Sequence, residues 1–244
     1  MIKLNCDLGE VDKLSPLGPE HTVMPYIDMA NIACGFHAGN RETMSATIQL
    51  AKQHHVLIGA HPSYPDRENF GRLSMTLSQA DICDLVFQQI SLMEALCEAQ
   101  DVPLSYIKPH GALYHDLLFQ QQVRDGVFQA VADLEAKVPV LVLAHVNQEA
   151  VIASAKQYGI TLWHEAFADR RYHQDASLQS RAEAGAVITN EQQMIEQARA
   201  IANGMPITTV EGGTITLHAH SLCVHGDNPK AVAAIKALKK ALSV

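Results

Sequence analysis

Short apolar runs separated by longer stretches of helical period recur along the whole chain, and that alternation leaves few folds open. Runs at residues 2–5, 30–34, 57–60, 106–109, 140–144 and 161–165, with a last one at 215–217 or 222–225, are continuous rather than alternating in hydropathy. A strand reads this way when both of its faces are covered, as in parallel strands with helices packed outside them. Between the runs, residues 79–97 place Ile82, Leu85, Val86, Ile90, Met93, Leu96 and Cys97 on one stripe, with Ser78 and Asp81 forming a capping box in front. Residues 121–136 repeat the pattern with Val123, Val127, Val131 and Leu134. Asn190 with Gln193 opens a helix carrying Met194, Ala198 and Ile201. Asn228-Pro229 opens a last one, an N-cap followed by proline at the first helical position, with Val232, Ile235 and Leu238 inward. Residues 166–189 and 203–226 follow neither period and read as elaborated loops or small hairpins. No linker, repeat or composition break divides the chain, so residues 1–244 read as one α/β domain.

An open doubly wound sheet and a closed barrel share this signature, and the placement of polar residues favours the barrel. An open sheet gathers its site at one switch point, whereas a barrel collects residues from the ends of most strands on one face. Here polar groups follow apolar runs at Asn5-Cys6-Asp7-Leu8-Gly9-Glu10, Ala33-Cys34-Gly35-Phe36-His37, Gly59-Ala60-His61-Pro62, Lys108-Pro109-His110-Gly111 and Val224-His225-Gly226-Asp227. Lys108 and His110 are two apart at a strand end and so face one spot.

Composition excludes several partners. Lys+Arg 18 against Asp+Glu 26 gives a net charge of −8, which argues against nucleic acid and anionic membrane. No apolar run approaches the ~20 residues that span a bilayer, and no signal pattern opens the chain. The five cysteines are odd in number and contain no CxxC pair, which fits reduced thiols in a cytoplasmic protein, with Cys83 and Cys97 packing a helix stripe. The glycines form no phosphate-binding loop of either common type.

Each candidate site residue has a functional and a plain reading. Asp7, His61 and His110 are a common ligand set for a divalent metal, or a hydrogen-bonded trio that holds loops together. His37 and His225 are further candidates and His145 a weaker one, whereas His54, His55 and His115 read as solvated. A buried Lys108 needs a carboxylate such as Asp7 or Glu165, and would polarise a carbonyl, neutralise an oxyanion or grip a phosphate. Glu165 suits a general base, and Arg170 or Arg171 a fork for a substrate carboxylate, or Asp169 and Arg170 form a loop ion pair. The charged stretch 65–72 reads as a lid or as plain surface.

Taken together, residues 5–10, Asn31-Ile32-Ala33-Cys34-Gly35-Phe36-His37-Ala38-Gly39, Gly59-Ala60-His61-Pro62-Ser63-Tyr64-Pro65-Asp66, 108–114, 165–172 and 223–227 closely resemble the LamB/YcsF family, in order from residue 2 to about 240. Two positions depart from the family pattern: Asn40 stands where an Asp is usual, and Val11 where a small residue is usual. An Asn cannot ionise, but it can still cap the following helix. The resemblance implies an irregular (β/α) barrel of about seven mostly parallel strands, similar to glycoside hydrolase and deacetylase-type barrels. It also implies the A-component role in a bacterial ATP-dependent 5-oxoprolinase, with partner subunits B and C, which converts 5-oxoproline, ATP and water to L-glutamate, ADP and phosphate. ATP, with Mg, would be handled largely by the partners. On that reading Lys108 and His110 stabilise charge on the lactam oxygen, and Glu165 or Asp7 activates water. Arg170 holds the substrate carboxylate, with Asn5, His37, His225 and Asp227 as further substrate contacts. Two rivals stay open: a self-sufficient metal-dependent amide hydrolase or deacetylase using Asp7, His61 and His110, and a non-catalytic substrate-binding component.

Overall fold

The computed structural model describes residues 2–145, 148–224 and 229–242. The chain runs β1 (Lys3–Leu8), α1 (Pro19–Val23), β2 (Met29–Ala33), α2 (Arg41–Gln53), β3 (Leu57–His61) and α3 (Gln79–Glu98). It continues through β4 (Leu104–Ile107), α4 (Gly111–Phe119), α5 (Gln121–Ala132), β5 (Val140–Leu143), α6 (Glu149–Tyr158) and β6 (Leu162–Phe167). Last come α7 (Glu191–Ala202), β7 (Ile207–Thr208), β8 (Thr214–Ile215), β9 (Ser221–Val224) and α8 (Pro229–Leu242). The strands close as a barrel in the order β1-β2-β3-β4-β5-β6-β9, every pairing parallel, with β9 bonded to both β6 and β1.

The register sorts each strand's side chains between barrel and helices. Along β1, Leu4, Cys6 and Leu8 face the helix layer within the large core, while Asn5 and Asp7 alternate inward. The pairings Asn5↔Met29, Asp7↔Asn31 and Asn31↔Gly59 carry the inward set around the barrel. Its lower end is plugged by Met29, Tyr106 and Leu141, with Leu57 and Trp163 against them, a cluster separate from the helix-facing core. Gly59 is required here: a Cβ at this position would overlap the Tyr106 ring that crosses the barrel interior. On the outside, α3 buries Ile82, Val86, Ile90, Met93, Leu96 and Cys97, the stripe expected from its period, while Leu85 is only partly buried. Each such side chain contributes about 1.5–3 kcal/mol relative to exposure.

The capping expectations hold where the residues are described. Ser78 and Asp81 form the α3 capping box, and the Asn190 side chain accepts from the backbone N–H of Gln193. Asn40 caps α2, its side chain accepting from the N–H of Thr43 while its own N–H donates to the Thr43 hydroxyl. Asn228 lies outside the described residues.

Several boundaries differ from the sequence reading. β1 and β6 run on to Leu8 and Phe167, so Asp7 and Glu165 sit inside strands rather than after them. β4 stops at Ile107, which puts Lys108 and His110 just beyond it. Of the two choices for the last strand, β9 (Ser221–Val224), buried throughout, closes the barrel. Ile215 belongs instead to the antiparallel β7–β8 hairpin outside the barrel. The loop at 166–189 is drawn together by bridges between Arg170 and Val187 and between Tyr172 and Leu178.

Candidate functional site

Inward polar residues climb the barrel as one hydrogen-bonded stack. The Tyr106 hydroxyl donates to Asn31 Oδ1 at 2.6 Å. Asn31 Nδ2 donates to Asn5 Oδ1 at 2.8 Å and to Asp7 Oδ1 at 2.6 Å. Asn5 Nδ2 in turn donates to Glu165 Oε2 at 3.2 Å and Ser221 Oγ at 3.1 Å. A buried amide is costly unless its groups are paired, so this stack fixes the two carboxylates above it.

On that base sits Lys108, 3% exposed. Its Nζ lies 2.9 Å from Asp7 Oδ1, 3.4 Å from Glu165 Oε2 and 3.2 Å from Cys223 Sγ. Burial works to strip the ammonium of its proton, but the carboxylates, Asp7 foremost, outweigh it and hold the lysine well above its ordinary value. Lys108 therefore stays cationic. Tyr114 stands nearby, and burial followed by the Glu165 charge holds its phenol well above the ordinary range, so its hydroxyl remains a donor.

Three imidazoles gather beside this pair of charges. His61 ends β3, and its Nδ1 bonds the backbone oxygen of Lys108 at 2.6 Å. His110 sits at the N-cap of α4 without capping it with its side chain. Its Nε2 bonds the Phe70 backbone oxygen at 2.9 Å, and its Nδ1 faces His61 Nε2 at 2.9 Å. Gly111 lets the 65–72 loop approach: φ is +55°, a Cβ there would collide with the Gly71 oxygen, and that oxygen accepts from Ala112 N–H at 2.9 Å. His37 stacks on His110 with ring centres 3.8 Å apart and meets Ser63 Oγ and Glu10 Oε1 at 2.9 and 3.1 Å. Burial first, then His61, pushes His37 down to about 2, and burial with the neighbouring rings drives His110 well below its usual value. His37 and His110 therefore rest neutral.

Above lies a cavity of about 380 Å³, within the range of small-ligand sites. Asp7, His61, Lys108, His110, Arg170 and Arg181 line it with charged and polar groups, and Phe70, Tyr114, Leu143 and Phe167 add apolar surface. Arg170 is 6% exposed, donates from Nη2 to the Gln179 oxygen at 2.6 Å, and is lowered to about 10 mainly by burial, so it remains charged. Arg171 turns away to the Gly185 oxygen.

Not every sequence candidate reaches the cavity. Asn5, His37 and Glu165 are buried beneath or beside it and do not line it. His225 and Asp227 lie outside the described residues. His145 borders a separate pocket with His164 and His218, and His115 stands exposed at the cavity rim. The 65–72 loop is pinned rather than free, Arg67 bonding the Gly35 and Gly39 oxygens and Asp12, while Phe70 and Arg72 face the cavity. Residues the sequence reading did not single out are Glu10, Asn31, Tyr114, Arg181 and, as a contact of Lys108, Cys223. All five cysteines are free and buried, and among the described residues no helix is long and apolar enough to cross a membrane. Two donor groups would suit a metal, Asp7 with His61 and His110, and Glu10 with His37 and His110, each set of ligand atoms lying within 4.8 Å.

Comparison with known proteins agrees with this architecture. A relative from Vibrio cholerae serotype O1, named as the A component of 5-oxoprolinase, is 43% identical over 241 residues, covering 99% of this chain and 97% of its own length. One of the same name from Pseudomonas fluorescens is 44% identical over 240 residues, covering 98% and 96%. The crystal structure of a lactam utilization protein from Thermus thermophilus superposes with a TM-score of 0.88 at 31% identity, covering 99% and 96%. The profile of the LamB/YcsF family matches residues 2–244, and the chain belongs to that family.

Proposed function

We propose that this chain is the A component of an ATP-dependent 5-oxoprolinase and that the lactam ring is opened in its barrel mouth. The observation that carries the reading is a buried, cationic Lys108 lining the same small cavity as Arg170 and Arg181. Those cations in one small cavity suit a small cyclic amide bearing a carboxylate. The carboxylate would lie on the two guanidiniums, the ring against Phe167 and Leu143, and the amide oxygen toward Lys108, with Tyr114 as a second donor.

A lactam is resonance-stabilised, so its carbon accepts water only after activation. Transfer of the ATP γ-phosphoryl group to the amide oxygen supplies this, with ADP leaving. Lys108 would balance charge on that oxygen, since His110 spends its Nε2–H on the Phe70 carbonyl, and Asp7, which lines the cavity, would take the proton of the attacking water. Cleavage of the ring C–N bond, with a proton passing to the departing amine, then gives an acyl phosphate of glutamate, and a second water hydrolyses it to glutamate and phosphate. Glu165 does not line the cavity, and its role would be to hold Lys108. No phosphate-binding loop is present in the sequence, so we assign MgATP mainly to partner subunits B and C, with the assembly in the cytoplasm. The relatives' names and the family membership support this reading.

In the assembled enzyme Asp7→Asn should lower kcat by on the order of 10²-fold, as for loss of a general base, while Arg170→Ala should act mainly on KM for 5-oxoproline. Near-wild-type kinetics for both would reject the assignment. A second reading, a self-sufficient metal-dependent amide hydrolase, is favoured by the convergence of Asp7, His61 and His110. It predicts lactam opening by this chain alone, without ATP.

A further inference from the structure

His61 and His110 face each other nitrogen to nitrogen at 2.9 Å, and their tautomers are set from outside. His61 Nδ1 bonds the Lys108 carbonyl and His110 Nε2 bonds the Phe70 carbonyl. A carbonyl oxygen only accepts, so both of those nitrogens carry their protons. In neutral rings the two facing nitrogens, His61 Nε2 and His110 Nδ1, then both present lone pairs. Two lone pairs at that distance repel unless a positive centre lies between them.

Carboxylates flank the pair on both sides. Asp7 Oδ1 is 3.6 Å from His61 Nε2, and Glu10 Oε1 is 3.5 Å from His110 Nδ1. Donors bound to one ion at about 2.0–2.2 Å lie roughly 2.9–3.6 Å from one another, for cis-octahedral or tetrahedral arrangements. The His61–His110 and Asp7–His61 distances fall in that window, whereas Glu10 belongs with His37 and His110. His37 repeats the pattern: its Nδ1 meets Ser63 Oγ, which itself donates to the Tyr64 carbonyl, so His37 Nε2 turns a lone pair toward Glu10.

We propose that His61 Nε2 and His110 Nδ1 bind one divalent transition-metal ion, with Asp7 Oδ1 as the carboxylate ligand, the three ligand atoms lying within 4.8 Å of one another. Asp7 Oδ1 also accepts from Asn31 and Lys108, so the two imidazoles carry most of the site. Imidazole paired with carboxylate suits zinc or manganese better than calcium or magnesium. Such an ion, when bound, polarises a carbonyl or acidifies a water in the cavity. The site is independent of the lactam reading, because it needs only side chains already in place in the resting protein.

The test uses the full chain without partners or substrate. The protein is stripped with chelator, checked for fold by circular dichroism, and titrated with Zn²⁺ and Mn²⁺ by calorimetry, with elemental analysis after desalting. The expected result is about one ion per chain and a raised Tm, with affinity falling at least tenfold in His61→Gln and in His110→Gln. Should either histidine variant fail to fold, Asp7→Asn should show the same loss. No saturable uptake by the folded, stripped chain would overturn the proposal, as would uptake unchanged by these substitutions. Either failure would leave ATP-dependent lactam opening untouched, and failed lactam opening would leave the metal result standing.

Discussion

Replacing Lys108 with Met keeps the long stem and removes the charge, which isolates what the ammonium contributes. Its Nζ lies 2.9 Å from Asp7 and 3.4 Å from Glu165, both buried carboxylates. At an effective dielectric of about 20 each attraction is worth roughly 5–6 kcal/mol before desolvation. Leaving the ammonium in water would recover several kcal/mol of hydration, so the net cost of removing one partner is the smaller figure of about 3–5 kcal/mol. In Lys108→Met the two carboxylates are left facing each other without a cation, and one must take up a proton. The folded variant then binds a proton that the unfolded chain releases near neutral pH, so its deficit against wild type should shrink as pH falls. Urea unfolding at pH 7 and pH 5 reads both effects, and a cycle with Asp7→Asn should give a coupling of about 1–3 kcal/mol. A Lys108→Met protein within about 0.5 kcal/mol of wild type at pH 7, or strict additivity with Asp7→Asn, would refute the buried-pair argument.

Two further outcomes follow from the packing and the histidines. Gly59→Ala places a methyl in the Tyr106 ring; overpacking of this kind costs about 1–3 kcal/mol or more, and an unchanged urea midpoint would contradict the interior placement of Tyr106. His37 is pushed down to about 2 from an ordinary 6.5, so its neutral form stabilises the fold fully above 6.5, and that contribution drains away as pH falls toward 2. Between pH 7 and pH 5 the metal-free chain should lose about 2 kcal/mol from this group alone, and equal stability at the two values would argue against a buried neutral His37.

The barrel was legible in the sequence because its cause is local. Continuous apolar strands and amphipathic helices such as α3 announce themselves by period. Helix α4 did not, because Gly111–Phe119 is apolar almost all round and presents no polar face to give a stripe. The polar stack was hidden for a different reason. Asn31 sits inside the run read as β2 and looks like an interruption of it, and only the register Asp7↔Asn31 shows it serving the site. The convergence of Asp7, His61, Lys108 and His110 could be anticipated from strand-end position, since barrel strands deliver their ends to one face. Glu10 was visible in the Asn5–Glu10 motif, yet its pairing with His37 and His110 depends on loop geometry that no spacing encodes. Arg181 lies farther still, in a loop that reaches the cavity only through the bridges of the 166–189 segment.

The most direct test of the central claim is glutamate release from 5-oxoproline and ATP by this chain alone, by its cognate B and C subunits alone, and by all three together. The account predicts glutamate only from the full mixture, one phosphate released per ring opened, and loss of both when Lys108→Met replaces the wild-type chain. Glutamate from B and C without this chain, or full turnover with Lys108→Met in a mixture shown to assemble, would contradict it.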